Sequence, residues 1–451
     1  MRIHKRRSLG IAAGVVSLAL IATACSSGSG DGDKTTAPAD TETTSSEPVT
    51  LTVNVFGQGG YEGDVATNLF DKYMDENPNV TIEATNLGTG GDAQTAVLNM
   101  IGAGGAGLPD VQMIEEGWRG WMSDLASENF VDLRDFGADD LKDRWVDWKV
   151  GQATNPDGQV WGYGTDIGPQ GLCFDQTQVA AAGIANDRDE FAAALGGKDA
   201  TWDKFWEVGQ KYTEKTGKPW IGVPSFLWNS AVNQQDEGYY KADGVTLNIE
   251  DNQFLKDLMT TIVEQSNAGV AGKLNAWAWQ PEDFHGNFAV HICPGWMLGS
   301  IRDAVANGGS DQWDFADVFP GGATNWGGSF FAVPKVSKHQ EEAAKLAAWL
   351  TAPEQQIIAF QNAGAFPSQV EAQSDPAVTD FKDADFNDAP VGEILANRAQ
   401  GVVPQVKGPQ DATIQDIVIG GVFQQINAGQ ITTPEAAWQA VLDGLVANQV
   451  G

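Results

Sequence analysis

Residues 50–56, TLTVNVF, alternate polar and apolar side chains and stop at Gly57-Gln58-Gly59-Gly60. Alternation with a period of two is the mark of a strand with one buried face, and the glycines that follow predict a loop. Asp64 is placed to cap a helix that carries Val65, Leu69, Tyr73 and Met74 on one face, ended by Asn77-Pro78. Val80-Thr81-Ile82-Glu83-Ala84 reads as the next strand, residues 92–101 as a second helix, and Pro109-Asp110-Val111-Gln112-Met113-Ile114 as a third strand. The order β-α-β-α-β with short connections predicts an α/β fold with a mainly parallel sheet covered by helices. In such sheets ligands sit beyond the carboxyl ends of the strands. The loops after Phe56 and Ile114, which contain Gln58, Glu116 and Trp118, are therefore the first candidates for a site.

Farther along, Thr201 opens a helix that runs to Thr216, and Ser337-Lys338-His339-Gln340 has capping-box spacing ahead of another. Thr433-Pro434-Glu435 opens the last helix, whose Trp438, Val441, Leu442 and Leu445 form a core stripe. The length of 451 residues allows two or three cores. A formal charge of −33 argues against nucleic acid as a ligand, because neutralising phosphates takes a basic surface and this chain has 27 Lys+Arg against 60 Asp+Glu. Sixteen Trp exceed the needs of a core, so part of them is expected on a binding surface.

Residues 1–24 carry a basic start, MRIHKRR, and an apolar run from Leu9 to Ala24, which reads as a signal peptide. Its end, Ile21-Ala22-Thr23-Ala24-Cys25, resembles a lipobox, so Cys25 is the expected lipidation site and residues 25–48 a polar tether. An exported protein is thus expected at the outer face of the cell membrane, held by a lipid anchor. Export favours a disulfide between the remaining cysteines, Cys173 and Cys293, with two buried free thiols as the alternative.

Familiar catalytic patterns fail on inspection. Gly102-Ala103-Gly104-Gly105-Ala106-Gly107 matches a dinucleotide fingerprint in letters, but it follows a helix and precedes a strand, the reverse of what pyrophosphate binding requires. His285, His291 and His339 lack zinc-site spacing. Asp383, Asp385, Asn387 and Asp388 echo a calcium loop, but Asp388 stands where glycine is needed. No metal and no cofactor is expected. With so many acids a glycosidase pair stays open as an alternative.

The stretch Phe70–Thr85, FDKYMDENPNVTIEAT, resembles the first helix and strand of the family 1 extracellular solute-binding proteins, the lipoprotein receptors of sugar ABC importers. Further matches follow in family order at Leu108-Pro109-Asp110-Val111, residues 158–166 (GQVWGYGTD), Asn287-Phe288-Ala289-Val290 with Gly295-Trp296, residues 327–335 (GGSFFAVPK) and residues 433–438 (TPEAAW). Residues 165–169 and 319–322 with Asn325-Trp326-Gly327-Gly328 are most similar to a cellobiose and cello-oligosaccharide branch.

The resemblance implies a two-lobed, periplasmic-binding-protein-like fold of the maltose-binding-protein type, with mixed sheets and three crossovers near 165–168, 317–319 and 366–369. One lobe then takes residues 49–165 and 318–367, the other 166–317 and 368–451. It also implies a monomer that makes no covalent chemistry, captures a neutral sugar by hinge closure and hands it to permease subunits served by a cytoplasmic ATPase. A polyol or an amino sugar is the alternative ligand.

A pyranose presents C–H faces suited to indoles and a rim of hydroxyls suited to carboxylates and amides. Trp and acids in the same loops are accordingly the signature, and Gln58, Glu116 and Trp118 fit it. Trp326, flanked by Asn325 and two glycines, can approach a ligand closely. By resemblance Asp166 faces the cleft at the first crossover, Trp228-Asn229 and Trp296 are stacking positions, and Gln410-Asp411 open a ligand-contacting helix. Trp277 and Trp279, at period-two spacing, point together into cleft or core. Trp145, Trp148, Trp202 and Trp206 have helical spacing and are expected in the core.

Overall fold

A computed structural model of the chain describes residues 47–63, 66–306 and 312–451. The signal segment, Cys25, nearly all of the tether, and Asp64 with Val65 lie outside the described residues. What is described forms one compact unit, Glu47–Gly451.

The first sheet is built from β1 (Val49–Val55), β2 (Val80–Asn86), β3 (Val111–Glu115), β4 (Tyr163–Gly164) and, late in the chain, a strand at Ser329–Ala332. Their order is β2-β1-β3, then the late strand, then β4. β1 pairs in parallel with β2 and β3, whereas the late strand runs antiparallel to β3 and β4. The alternation in β1 sends Leu51, Val53 and Val55 into a core with Leu69, Tyr73, Phe331 and Leu346. Each such aliphatic side chain contributes roughly 1.5–3 kcal/mol on burial. The opposite face packs Val97, Ile114, Met122, Phe130 and Phe330 into a second, smaller cluster.

The chain leaves this sheet through β5 (Asp166–Ile167) and enters another made of β6 (Gln170–Asp175), β7 (Val290–Pro294) and β8 (Trp313–Ala316), in the order β7-β6-β8. All of its residues are buried, as expected of strands covered on both faces. β6 is antiparallel to both neighbours, so parallel pairing among the named strands is confined to β2-β1-β3, less than the opening β-α-β-α-β order implies. Cys173 of β6 and Cys293 of β7 are joined by a disulfide. Around this sheet lies a large core holding Trp220, Trp228, Trp313 and Phe423. With the late strand of the first sheet as β9 (Ser329–Ala332), the last strand, β10 (Phe366–Pro367), pairs antiparallel with β5 as Phe366↔Ile167 and Pro367↔Asp166.

Three local expectations change. The first helix is Leu69–Glu76, capped by Asn68, whose side chain accepts from the N–H groups of Phe70 and Asp71. The capping box at Ser337 does not form. The Ser337 hydroxyl donates to Asp110 at 2.6 Å and accepts from the His339 N–H, two residues on, so the helix Gln340–Leu350 starts without a side-chain cap. The crossover expected at 317–319 comes later, because Val318 and Phe319 are still buried in the large core and Phe319 meets Trp202 edge-on. The last helix is capped by Thr433 as expected, Val441 and Leu445 are buried, and Trp438 and Leu442 are half-buried against the same core. Trp145 and Trp206 are buried, while Trp148 and Trp202 pack half-buried against the core.

Candidate functional site

The carboxyl end of β3 turns at once into a short 3-10 segment, Glu116–Trp118, and the helix Arg119–Asn129. The turn is held by two bonds: the Gly117 N–H donates to Glu115 Oε2 at 2.7 Å and the Glu116 N–H donates to the Gly328 carbonyl at 2.8 Å. Glu116 is buried, accepts from Gln152 at 3.1 Å and stands 3.6 Å from the Arg119 guanidinium. Lys149, also buried, reaches this wall from the helix Asp147–Gln152 and lies 3.9 Å above the Phe330 ring. Asp166 accepts from the Ser329 N–H at 3.0 Å and from the Thr165 hydroxyl at 2.7 Å.

The facing wall comes from the C-terminal part of the chain. Lys407 pairs with Asp411 at 3.2 Å and donates to Asn233 at 3.0 Å. Beyond Asp411 the helix widens into a π-helical stretch, Thr413–Ile419, a geometry that recurs at functional sites. It presents Asp416, an exposed residue whose carboxyl nonetheless has protein around most of it.

The two walls touch. Arg119 donates to the Gln405 carbonyl at 3.1 Å, and a Cβ on Gly120 would lie 1.7 Å from the Gly408 carbonyl oxygen. Only glycine fits that seam. At another point of the rim Gln58 donates to Asp303 of the helix Met297–Ala306, beside a cavity of about 540 Å³ that Asn86, Arg302 and Asn362 also line.

Enclosure sets the electrostatics. Burial, with the charge of Glu116 second, pushes the Glu115 carboxyl up to about 8. Burial lowers the Lys149 ammonium to about 8 against the pull of Asp166, Glu116 and Glu115. Burial, then the Asp411 charge, raises Asp416 to about 6. Burial works against the Lys407 ammonium too, but Asp411 and Glu116 outweigh it and hold the group above its ordinary range. Several buried polar atoms here, Arg119 Nε, Lys149 Nζ, Gln152 Oε1 and Asp411 Oδ2, have no hydrogen-bond partner in the protein. Such groups are costly unless something satisfies them.

Next to the charged walls stands an aromatic cluster. Trp296 donates from Nε1 to the Trp326 carbonyl at 2.9 Å and meets the Trp326 ring edge-on at 5.4 Å. That carbonyl approaches the backbone so closely that a Cβ on Gly168 would lie 1.8 Å from it. Trp326 also contacts Phe226 edge-on at 4.7 Å, and Trp277 lies nearly parallel to Trp296 with centroids 5.8 Å apart.

Of the residues chosen from sequence, Glu116, Asp166, Asp411, Trp296 and Trp326 converge on these walls. Asn229 is buried beside Asn233 on the helix Pro224–Asn233. Three others are engaged within the protein. Trp118 is buried, wedged between Phe56 and Trp121, because the 3-10 turn directs it back into the small cluster behind β3. Trp228 is fully buried, its Nε1 bonded to the Tyr239 hydroxyl at 2.7 Å and its ring against Phe423. Gln410 turns to the chain end, donating to the Gln449 carbonyl and accepting from the Gly451 N–H. The sequence reading missed Glu115, Lys149, Lys407, Asp416 and the role of Gly120. The usable signal was the scarcity of cations: in so acidic a chain, Lys149 and Lys407 need carboxylate neighbours to be buried. Among the described residues no group of three or more His, Cys, Asp or Glu is placed to hold a metal ion, and no helix is long and apolar enough to cross a membrane.

Comparison with known proteins agrees with this architecture. Residues 68–386 match the model of a family described as bacterial extracellular solute-binding protein. A crystal structure of an extracellular solute-binding protein family 1 member is 39% identical, with a TM-score of 0.76, covering 88% of this chain and 98% of that one. The binding protein from B. animalis subsp. lactis Bl-04, solved with beta-1,6-galactobiose, is 19% identical with a TM-score of 0.72, covering 89% of this chain and 98% of its own, and shares the fold. The arabinooligosaccharide-binding protein of Bacillus subtilis (strain 168) is 24% identical over 289 residues, 56% of this chain. That match spans 58% of the relative's length, and a second arabinooligosaccharide-binding protein, from Halalkalibacterium halodurans, is matched over 32% of its own.

Proposed function

Since the chain belongs to the bacterial extracellular solute-binding protein family, we propose that it is the receptor of an ABC importer for a neutral di- or oligosaccharide. A cello-oligosaccharide is the first candidate. The observation that carries this reading is the meeting, between two separately cored lobes, of half-buried indoles with carboxylates and ammonium groups whose hydrogen-bonding capacity exceeds what the protein uses. Indole faces take the apolar faces of a pyranose, and Glu115, Glu116, Asp166 and Asp416 take its hydroxyls. Related proteins named for, or solved with, arabinooligosaccharide and galactobiose support the ligand class.

Capture works by differential affinity. Contacts such as Arg119 with Gln405 exist only when the walls meet, so a ligand that bridges the walls favours that state. No covalent step is assigned to this chain. The closed complex is delivered to permease subunits driven by a cytoplasmic ATPase, and a lipid on Cys25 keeps the receptor at the outer membrane face.

The test is calorimetric titration of the full chain with cellobiose, cellotriose, maltose, xylobiose, glucose and a polyol, with the sugars assayed afterwards for hydrolysis. Stoichiometric binding of one oligosaccharide recovered intact is the expected result. Accumulating product would replace the receptor reading with a glycosidase, and binding of the polyol alone would replace the ligand class.

A further inference from the structure

Among the sixteen Trp, Trp277 alone falls in the exposed class, at 52%. Four aromatic rings nevertheless surround it: Phe226 at 5.1 Å, Trp279 at 5.4 Å, Trp296 at 5.8 Å and Trp326 at 6.4 Å. An indole that touches four rings and still shows half its surface lies at the edge of a cluster with one face outward.

Its backbone is unusual as well. Trp277 has φ of 61°, in the left-handed region that bulky L residues rarely take. The flanking chain over-determines that conformation. Gly272 donates to the Ile221 carbonyl at 2.7 Å, Asn427 donates to both the Leu274 carbonyl and Asn275 Oδ1, and Ala278 donates to the Asn275 carbonyl. On the other side Trp279 is packed edge-on against Phe226 and Phe284. Backbone cost of this kind persists where surrounding structure enforces it, and it gathers at ligand clamps.

The position of the ring decides which indole meets a ligand. Trp296 has its Nε1 edge committed to the Trp326 carbonyl and Trp326 standing against it edge-on, and Trp277 covers it at an interplanar angle of 28°. The two indoles therefore form one slab whose outer face belongs to Trp277. The slab adjoins the carboxylate wall: a Cβ on Gly327 would lie 3.4 Å from Trp296 Nε1 and 3.5 Å from Glu115 Oε1. On the reading of the protein as a sugar receptor, we propose that Trp277 is the platform on which a sugar ring stacks, with Trp296 as the support that holds it flat.

The experiment titrates the full chain and its Trp277→Ala, Trp277→Phe and Trp296→Ala variants with whichever oligosaccharide of the panel the parent binds, following heat and tryptophan emission. Trp277→Ala is expected to weaken binding by about tenfold or more, and Trp277→Phe by no more than about threefold, since a ring is kept. The parent's emission shifts to the blue on binding, and Trp277→Phe loses that shift while keeping its affinity. The last comparison stands even if the alanine variant does not fold. Unchanged or tighter binding by Trp277→Ala would overturn the proposal and make the indole a plug over Trp296. A parent that binds none of the sugars would overturn the sugar reading and this one with it, whereas normal parental binding with an indifferent Trp277→Ala defeats only the platform.

Discussion

Replacing Gly120 with alanine tests whether contact between the walls contributes to affinity. The added methyl would lie 1.7 Å from the Gly408 carbonyl oxygen and 3.0 Å from the Pro409 Cα. Ordinary non-bonded separation is roughly 3.5 Å, so the seam must part by about 1.5–2 Å. That movement stretches the Arg119–Gln405 bond, now 3.1 Å, beyond hydrogen-bonding range. A hydrogen bond to a charged group contributes about 1.5–3 kcal/mol, which corresponds to roughly ten- to 150-fold in affinity. The helix Arg119–Asn129 itself tolerates alanine better than glycine, so folding is not the weak point. Calorimetry with the bound oligosaccharide measures the loss. Small-angle scattering of the saturated complex reports whether the walls stay apart. Parental affinity and an equally compact complex in Gly120→Ala would refute the claim that ligand binding draws on this seam.

Protonation offers a second handle. Because the Glu115 carboxyl titrates near 8 in the folded chain against an ordinary 4.5, ionising it costs the folded state, and this cost grows as pH rises between those values. Glu115→Gln should therefore raise the melting temperature more at pH 8 than at pH 5; an increment that does not vary with pH would contradict the enclosure of that side chain. Joint replacement of Cys173 and Cys293 by alanine opens a loop with a sequence separation of 120 and should cost up to about 4–5 kcal/mol in urea unfolding. Equal midpoints for the variant and the oxidised parent would show that the bridge adds nothing. Trp228→Phe removes the bond to Tyr239 inside the large core and should cost about 1–3 kcal/mol of stability while leaving sugar affinity within about threefold. A selective loss of affinity would return Trp228 to the site.

The fold was legible where the signal is local. Alternation in residues 50–56 and the glycine break that follows are short-range facts, and β1 and its loop stand where they indicate. The site was legible only to the level of the loop. Glu115 and Glu116 are neighbours at a strand end, and composition cannot tell which of them points into the cleft. Asp411 was chosen by resemblance at the opening of a helix, and Asp416 was missed because it lies on the π-helical stretch beyond, which no local pattern in the sequence announces. Trp118, Trp228 and Trp277 are one residue type with opposite fates. Burial of an indole is favourable wherever a core has room for it, so the sequence around Trp118 and Trp228 reads like that of any loop or helix bearing Trp. At Trp277 no neighbouring glycine announces a left-handed backbone, since long-range bonds to Asn427 and packing of Trp279 impose it. The seam at Gly120 was equally silent, because its partner lies at Gly408.

The two-residue ladder between β5 and β10 has a mechanical consequence. On the lobe division expected from the resemblance, β5 and β10 are two of the passages between lobes, and their pairing makes them one ribbon rather than two independent strings. A ribbon flexes more readily out of its plane than along its length, so hinge motion at this point is expected to bend the pair together. Asp166 is part of that ribbon, and on the same division it stands at the pivot, where a force has the shortest lever arm. A ligand pulling on its carboxylate delivers little torque, however strong the bond, whereas the same pull on a residue far from the pivot, at the lips of the cleft, turns a whole lobe.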